Sequence, residues 1–225
     1  MGKPDFFTGK DGKVHPITPK KKGAGGAVTL AGVIVGGVIA AGGGVGGGLG
    51  SAGAAAESLP GQLRAKTNHS KSAARKGHRD KAWRRLDVRR LKRDTKQALS
   101  CAVNSYGQVQ SYFLSNPCKA LDRTLLILSD GSGNTMLVSV TWVRMRTADG
   151  ARDLRSLADT NGTGNVEAIG ASGLQLGGTR FTGEFYDSDM RGSLAVIAEA
   201  ASLDGAPDPA LLHAATEIAV VLPPP

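Results

Sequence analysis

Thr124-Leu-Leu-Ile-Leu-Ser129, Asp130-Gly-Ser-Gly-Asn134 and Thr135-Met-Leu-Val-Ser-Val-Thr-Trp-Val-Arg-Met-Arg146 follow one another in this chain. Their order decides how the C-terminal half folds. The first run is apolar and the third is rich in β-branched and aromatic side chains, which suit a pleated, half-buried surface. Between them lie Asp, Gly, Ser and Asn, types that make turns because they tolerate unusual φ or bond their own backbone. The stretch predicts a hairpin. Thr147 then suits the N-cap of a helix through about Asp159, with Ala151, Leu154, Leu157 and Ala158 on one face, and Asn161-Gly-Thr-Gly164 ends it. Val166–Ile169 reads as a short strand and 170–178 as a glycine-rich loop. Thr179–Tyr186 and Ser193–Ala200 read as a second hairpin around Asp187-Ser-Asp-Met-Arg-Gly192. Asp208-Pro209 opens a last helix to Leu222, which the three terminal prolines stop.

Working upstream, Trp83, Leu86, Leu91, Ala98, Ala102, Tyr106, Val109 and Phe113 recur at mostly three- to five-residue spacing. That spacing predicts one amphipathic helix from near Asp80 to just before Asn116-Pro117, because proline excludes helix from the residue preceding it. Its C-terminal half would pack on a core, and its basic half would project toward a membrane or solvent. The fold class is therefore α+β: residues 98–225 form an αββαβββα domain, a largely antiparallel sheet with helices over one face. Its 128 residues suffice for one core.

Charge is distributed unevenly. The 225 residues carry 28 Lys plus Arg against 19 Asp plus Glu, a net +9. Residues 62–97 alone hold 14 basic and 3 acidic side chains, whereas 98–225 hold 8 basic and 13 acidic. A uniformly basic nucleic-acid binder and a large deep-cored enzyme are both poor fits. Residues 1–26, with six lysines and little to bury, read as a disordered basic arm. No charged residue occurs from Gly23 to Ala56, and seven Val, Ile and Leu fall between Val28 and Ile39. Residues 27–48 are thus long and apolar enough for a transmembrane helix, followed by a Gly/Ala-rich linker over 49–61 and a basic amphipathic helix over 62–97. Two other readings of the apolar run stay open, a glycine-rich linker and a cleaved signal peptide ending near Ala54-Ala55-Ala56. Gly32/Gly36, Gly42/Gly46 and Gly43/Gly47 have the four-residue spacing of close helix packing, so the span could form a homodimer. The near flanks place the N-terminus in the cytoplasm and the C-terminal domain outside it. Counting further out, into the basic cluster, reverses the orientation.

Cys101 and Cys118 are the two cysteines. If their domain is extracytoplasmic, a disulfide is natural. An unbroken helix would hold them too far apart, so an intrachain bond needs a break near Asn104-Ser105-Tyr106-Gly107; free thiols and an intermolecular bridge are the alternatives. The histidines, His15, His69, His78 and His213, are scattered, with His213 reading as a surface or packing residue. No catalytic constellation, metal site or cofactor signature emerges. Asp130-Gly-Ser132-Gly-Asn134 and Asp187-Ser-Asp189 lack the glutamate of a calcium loop and read as turns. Partner information resides in the basic stretch, where Arg75, Lys76, Arg79, Lys81, Arg84, Arg85, Arg89, Arg90, Lys92 and Arg93 are candidates for binding a polyanion. Anionic lipid or a cell-wall polymer suits a position next to a membrane. Nucleic acid suits it less, because Trp83 is the sole aromatic available for stacking. A solvated face without a partner is the plain alternative.

The stretches Cys101-Ala-Val-Asn-Ser-Tyr-Gly-Gln-Val-Gln110, Asn116-Pro-Cys-Lys-Ala-Leu-Asp-Arg123 and Val138-Ser-Val-Thr-Trp-Val143 complete a layout that resembles single-span membrane proteins of high-GC Gram-positive, actinobacterial-type bacteria. The resemblance implies a short basic cytoplasmic arm, a Gly/Ala-rich span and an α+β ectodomain, and it implies no known activity. The expectation is a membrane-anchored, non-catalytic domain, extracytoplasmic, that binds a partner. The alternative is a cytoplasmic domain that binds a polyanion or nucleic acid through 64–96.

Overall fold

The computed structural model describes residues 6–8, 14–16, 60–170 and 179–225. The chain divides into two units, Met1–Gly46 and Gly47–Pro225. In the first, β1 (Phe6–Thr8) pairs antiparallel with β2 (Val14–Pro16). Composition alone reads this arm as disordered, but Phe6, Phe7, Thr8 and Val14 are strand formers that flank Asp11-Gly12, a turn-prone pair. The expected span 27–48 and residues 49–59 of the linker lie outside the described residues. Among the described residues no helix is long and apolar enough to cross a membrane.

The second unit is α+β. Its sheet contains β3 (Arg89–Ala98), β4 (Ala120–Ser129), β5 (Thr135–Arg144), β6 (Phe185–Arg191) and β7 (Leu194–Asp204), in the order β3-β4-β5-β7-β6 with every neighbour antiparallel. Five helices surround it: α1 (Gly61–Arg75), α2 (Arg79–Arg85), α3 (Gly107–Ser115), α4 (Ala148–Ala158) and α5 (Pro209–Ala219). The β4–β5 hairpin forms as its sequence predicts, with Ser129 opposite Thr135 and Asp130–Asn134 as the turn. Thr147 caps α4 by accepting from Gly150 N at 3.0 Å, and Asp208 caps α5 by accepting from Ala210 N at 2.8 Å.

Side chains alternate across the strands, and the two faces are covered differently. On one, Leu126, Leu128, Met136, Val138, Val140, Trp142, Val196 and Ala198 meet Ala74 of α1, Ala82 and Trp83 of α2, and Leu212, Ala215 and Ile218 of α5 in a single buried cluster. On the other, Val109 and Phe113 of α3 and Ala151 and Leu154 of α4 pack on Leu121, Val143 and Ala195. Leu125, Leu137 and Ile169 form a smaller separate cluster.

Several sequence expectations are corrected. Helices cover both faces, not one. The single helix from Asp80 to Asn116 does not form: α2 ends at Arg85, Asp87 adopts φ 61°, and 89–98 is the edge strand β3. The apolar spacing that suggested one helix came from four successive elements, and β3 shows no alternation because most of its side chains are exposed. The charge break at 97/98 falls inside β3, and α1, α2 and Val88 contribute to the principal core. Val166 makes one bridge, to Ser105, in place of a strand. The second hairpin turns at Gly192-Ser193, not around Asp187–Gly192, because Asp187 and Ser188 are buried within β6. The order after residue 98 is therefore αββαββα. The last helix ends at Ala219, three residues short of Leu222, whose carbonyl accepts from Trp142 Nε1 at 2.9 Å.

Cys101 and Cys118 have sulfurs at bonding distance, with 6.1 Å between Cα atoms. The break this pairing requires lies where the sequence places it: a 3-10 turn covers Ala102–Asn104, Ser105 and Tyr106 are extended, and α3 begins at Gly107.

Candidate functional site

The basic residues converge where α2 crosses the β3 edge. An open cleft of about 600 Å³ is lined by Gly77, His78, Arg79, Asp80, Lys81, Arg84, Arg90 and Arg93, five cations against one carboxylate. Gly77, at φ 77°, turns the chain between α1 and α2 and so brings Arg79, Lys81 and Arg84 to this edge.

Arg90 and Arg93 are three residues apart in a strand, and strict alternation would send them to opposite faces. A bulge prevents this. The ladder pairs Arg90 with Leu128 and Lys92 with Ile127, leaving Leu91 as the extra residue, and then pairs Arg93 with Leu126. Leu126 and Leu128 both belong to the principal core face, so both arginines are aimed toward α2. A bulge re-aims side chains in this way when it inserts one unpaired residue. Arg89 and Lys92 sit opposite Ser129 and Ile127 and fall on the other side.

The arginine network is partly tied down. Arg79 Nη2 donates to the carbonyls of Pro223 and Pro224 at 2.8 and 2.6 Å, which pins the C-terminal tail beneath the cleft. Arg90 pairs with Asp80 at 3.0 Å, and Arg93 Nε donates to Thr95 Oγ1 at 3.2 Å. Burial, then the charges of Arg93 and Arg90, hold the Arg79 guanidinium below its ordinary value, with Asp80 opposing. Five cations facing one carboxylate make the cleft complementary to an anion. Arg79, Arg90 and Arg93 also line a small crevice with Trp83 and Trp142.

Of the ten candidate residues, the fold brings Arg79, Lys81, Arg84, Arg90 and Arg93 together. Arg75 and Lys76 are exposed at the C-terminal end of α1. Arg85 donates to the His69 carbonyl at 2.7 Å and ties α2 to α1.

Other candidates resolve as structural. Asp130 is the hub of its turn: Oδ1 accepts from Ser132 N and Asn134 N, both at 2.9 Å, and the Asn134 side chain does most to hold the carboxyl below its usual range. His213 packs edge-on against Phe185, with ring centroids 4.9 Å apart. Among the described residues no group of three or more His, Cys, Asp or Glu is placed to hold a metal ion.

Sequence reasoning missed a second cleft, of about 370 Å³, lined by Tyr106, Asp159, Asn165, Phe181, Tyr186 and Glu199. One signal was available: Glu199 is the lone carboxylate in the apolar run Leu194-Ala-Val-Ile-Ala-Glu-Ala-Ala201, and a charge in such a strand needs a reason. The cleft's remaining residues come from three other parts of the chain, which no local pattern connects.

No protein-family model, curated protein or solved structure matches the chain.

Proposed function

We propose that this protein is a membrane-anchored, non-catalytic binding domain, held by residues 27–48, that recognises phosphate-bearing anions through the cleft between α2 and β3. The observation that carries the reading is the Leu91 bulge, which turns Arg90 and Arg93 to the same side as Arg79, Lys81 and Arg84. Five cations on rigid elements form a site for a phosphate-rich partner, because arginine presents paired donors that match phosphate oxygens. The Cys101–Cys118 pairing supports placement outside the cytoplasm, where disulfides persist. Anionic lipid headgroups or a phosphate-containing wall polymer would then be within reach of the anchored domain.

Cosedimentation of residues 60–225, which lack the proposed anchor, with vesicles tests this. Vesicles with an anionic phospholipid should retain more protein than purely zwitterionic ones at low salt, and Arg90→Glu with Arg93→Glu should abolish the difference. Soluble polyphosphate should compete if the cleft reads phosphate. Retention that is unchanged in the double variant defeats the reading. Labelling of the reduced cysteines in intact cells by a membrane-impermeant thiol reagent tests the orientation: protection would favour the cytoplasmic, nucleic-acid-binding alternative.

A further inference from the structure

The second cleft lies on the other sheet face, since Glu199 stands opposite Ser139 and Tyr186 in the ladders and alternates with Ala198 and Ala200 of the principal core. Its two carboxylates are not equivalent. Asp159 is answered by Arg155 at 3.5 Å and by the hydroxyls of Tyr186 at 2.9 Å and Ser188 at 2.7 Å. Glu199 receives one hydrogen bond, from Asn165 Nδ2 at 3.3 Å. Among the described residues it makes no ion pair, and no Lys, Arg or His lines the cleft. Residues 171–178, outside the described residues, include no charged side chain. A largely buried carboxylate without a counter-charge is costly unless something supplies one.

We propose that this cleft binds a small organic cation, an ammonium or guanidinium group on a short carbon chain, with Glu199 as its counter-charge. Tyr106, Phe181 and Tyr186 line the same space and offer aromatic surface that attracts cations once water is excluded. The volume lies at the low end of small-molecule sites. A metal ion is poorly served, because Asp159 is already engaged by Arg155, Tyr186 and Ser188 and aromatic rings do not ligate hard cations. An anion would meet Glu199 head-on, and a neutral sugar would leave its charge uncompensated.

The walls are fixed before any ligand arrives. Tyr106 N donates to the Asn165 carbonyl at 3.0 Å and Gln108 N to the Thr163 carbonyl at 2.6 Å, sewing 106–108 to 163–165. These segments meet through Gly107 and Gly164, both at positive φ, where a Cβ on Gly164 would collide with the Tyr106 carbonyl. The Cys101–Cys118 pair braces the chain just before Tyr106. Such preorganisation limits the ordering cost of binding. Burial pushes the Glu199 carboxyl upward, with Asn165 opposing. It likewise pushes the phenols of Tyr106 and Tyr186 up, so both remain hydroxyl donors at neutral pH. A bound cation favours the ionised carboxylate, so affinity must weaken as pH falls and Glu199 takes up a proton.

Calorimetric titration of the full-length chain in non-ionic detergent decides the matter, with n-butylammonium and n-butylguanidinium as probes and n-butanol as the uncharged control. At pH 7.5 at least one cation should bind and butanol should not. Glu199→Gln should weaken the cation by at least about 30-fold, as expected for losing a buried charge partner. Equal binding of butanol, undiminished binding to the variant, or no cation binding to the wild type overturns the proposal. If the variant does not fold, the wild type at pH 5 decides: affinity must fall relative to pH 7.5, and a flat profile overturns the assignment.

Discussion

Val140 and Thr141 are adjacent in β5 and both buried, yet they belong to different chemistries. Val140 joins a continuous apolar layer sealed by α1, α2 and α5. Thr141 alternates to a face where Arg123, Ser139 and Glu199 run between two smaller apolar clusters. The first face holds the domain together by area removed from water. The second is braced by hydrogen bonds and the cysteine pair, and it leaves room for a polar cleft. The arginine cleft opens at the rim of the sealed face, where α2 meets the edge strand. Stability is thus concentrated on one side of the sheet, and both clefts lie outside that seal.

The largest effect should come from removing part of the sealed face. A fragment 98–225 lacks all but the last residue of β3, all of α1 and α2, and the buried Trp83, Leu86 and Val88. It should show no cooperative thermal transition, whereas 60–225 should melt cooperatively. The exposed β4 edge would also favour aggregation. A sharp transition in 98–225 would mean that α5 alone seals the sheet, and the contrast between the faces would collapse.

On the other face the corresponding test is chemical. Replacing Cys101 and Cys118 together with alanine should cost about 3 kcal/mol, the entropic value for a closed loop of this size. Because Cys101 packs with the α3–α4 cluster and not with the principal core, amide protection should fall around 101–120 and stay unchanged in β7. A uniform loss across the sheet would show that the two faces are not separable.

These contrasts were only partly legible in the sequence. The β4–β5 hairpin was readable because an apolar run, a turn cluster and a β-branched run lie side by side. The caps at Thr147 and Asp208 were readable because capping is local. β3 was not, because an edge strand exposes most of its side chains and so loses the alternation that identifies a strand. Nothing in Arg-Arg-Leu-Lys-Arg announces a bulge, which exists only relative to the register of β4. The ten basic candidates were therefore identified as a group, but the subset that shares a cleft was set by pairing. Glu199 offered a chemical signal that went unread, and its cleft neighbours Tyr106 and Asn165 are distant in sequence.

One buried group sets a pH dependence on the sealed face. Asp187 lies under α5 and α1, and burial pushes its carboxyl up to about 6, with Glu217 and Asp189 adding to the rise and the Ser188 backbone N–H and Lys71 opposing it. Asp187 Oδ2 and Glu217 Oε1 both lack hydrogen-bond partners among the described residues. The folded state therefore holds a proton that the unfolded chain releases near its ordinary carboxylate value. This contribution to stability is complete below about pH 4 and is lost as pH rises through about 6. Asp187→Asn removes the dependence and should stabilise the domain by roughly 1–2 kcal/mol at pH 7.5, with little gain at pH 4. Melting curves at the two pH values check it, and an equal change at both would assign the effect to packing.

The smallest effect on stability should accompany the sharpest test of the arginine cleft. Leu91 is 48% exposed and has no partner in the ladder, so deleting it gives up only the covered half of one side chain. Deletion restores strict alternation without changing the pairing, so Arg90 stays opposite Leu128 and Arg93 opposite Leu126, two positions apart and on one face. Arg90 keeps its place beside Asp80, so the pair that orients the rim is retained. The melting temperature should shift by no more than about 3 °C, corresponding to under roughly 1 kcal/mol for a domain of this size. Retention on anionic vesicles should stay near the wild-type value, whereas the Arg90→Glu, Arg93→Glu variant loses it. If the deletion lowers retention to that of the Arg90→Glu, Arg93→Glu variant, the shared face alone is insufficient and the local twist of the bulge is needed for recognition. If it melts the domain, the edge strand is more deeply engaged in the core than its exposure indicates.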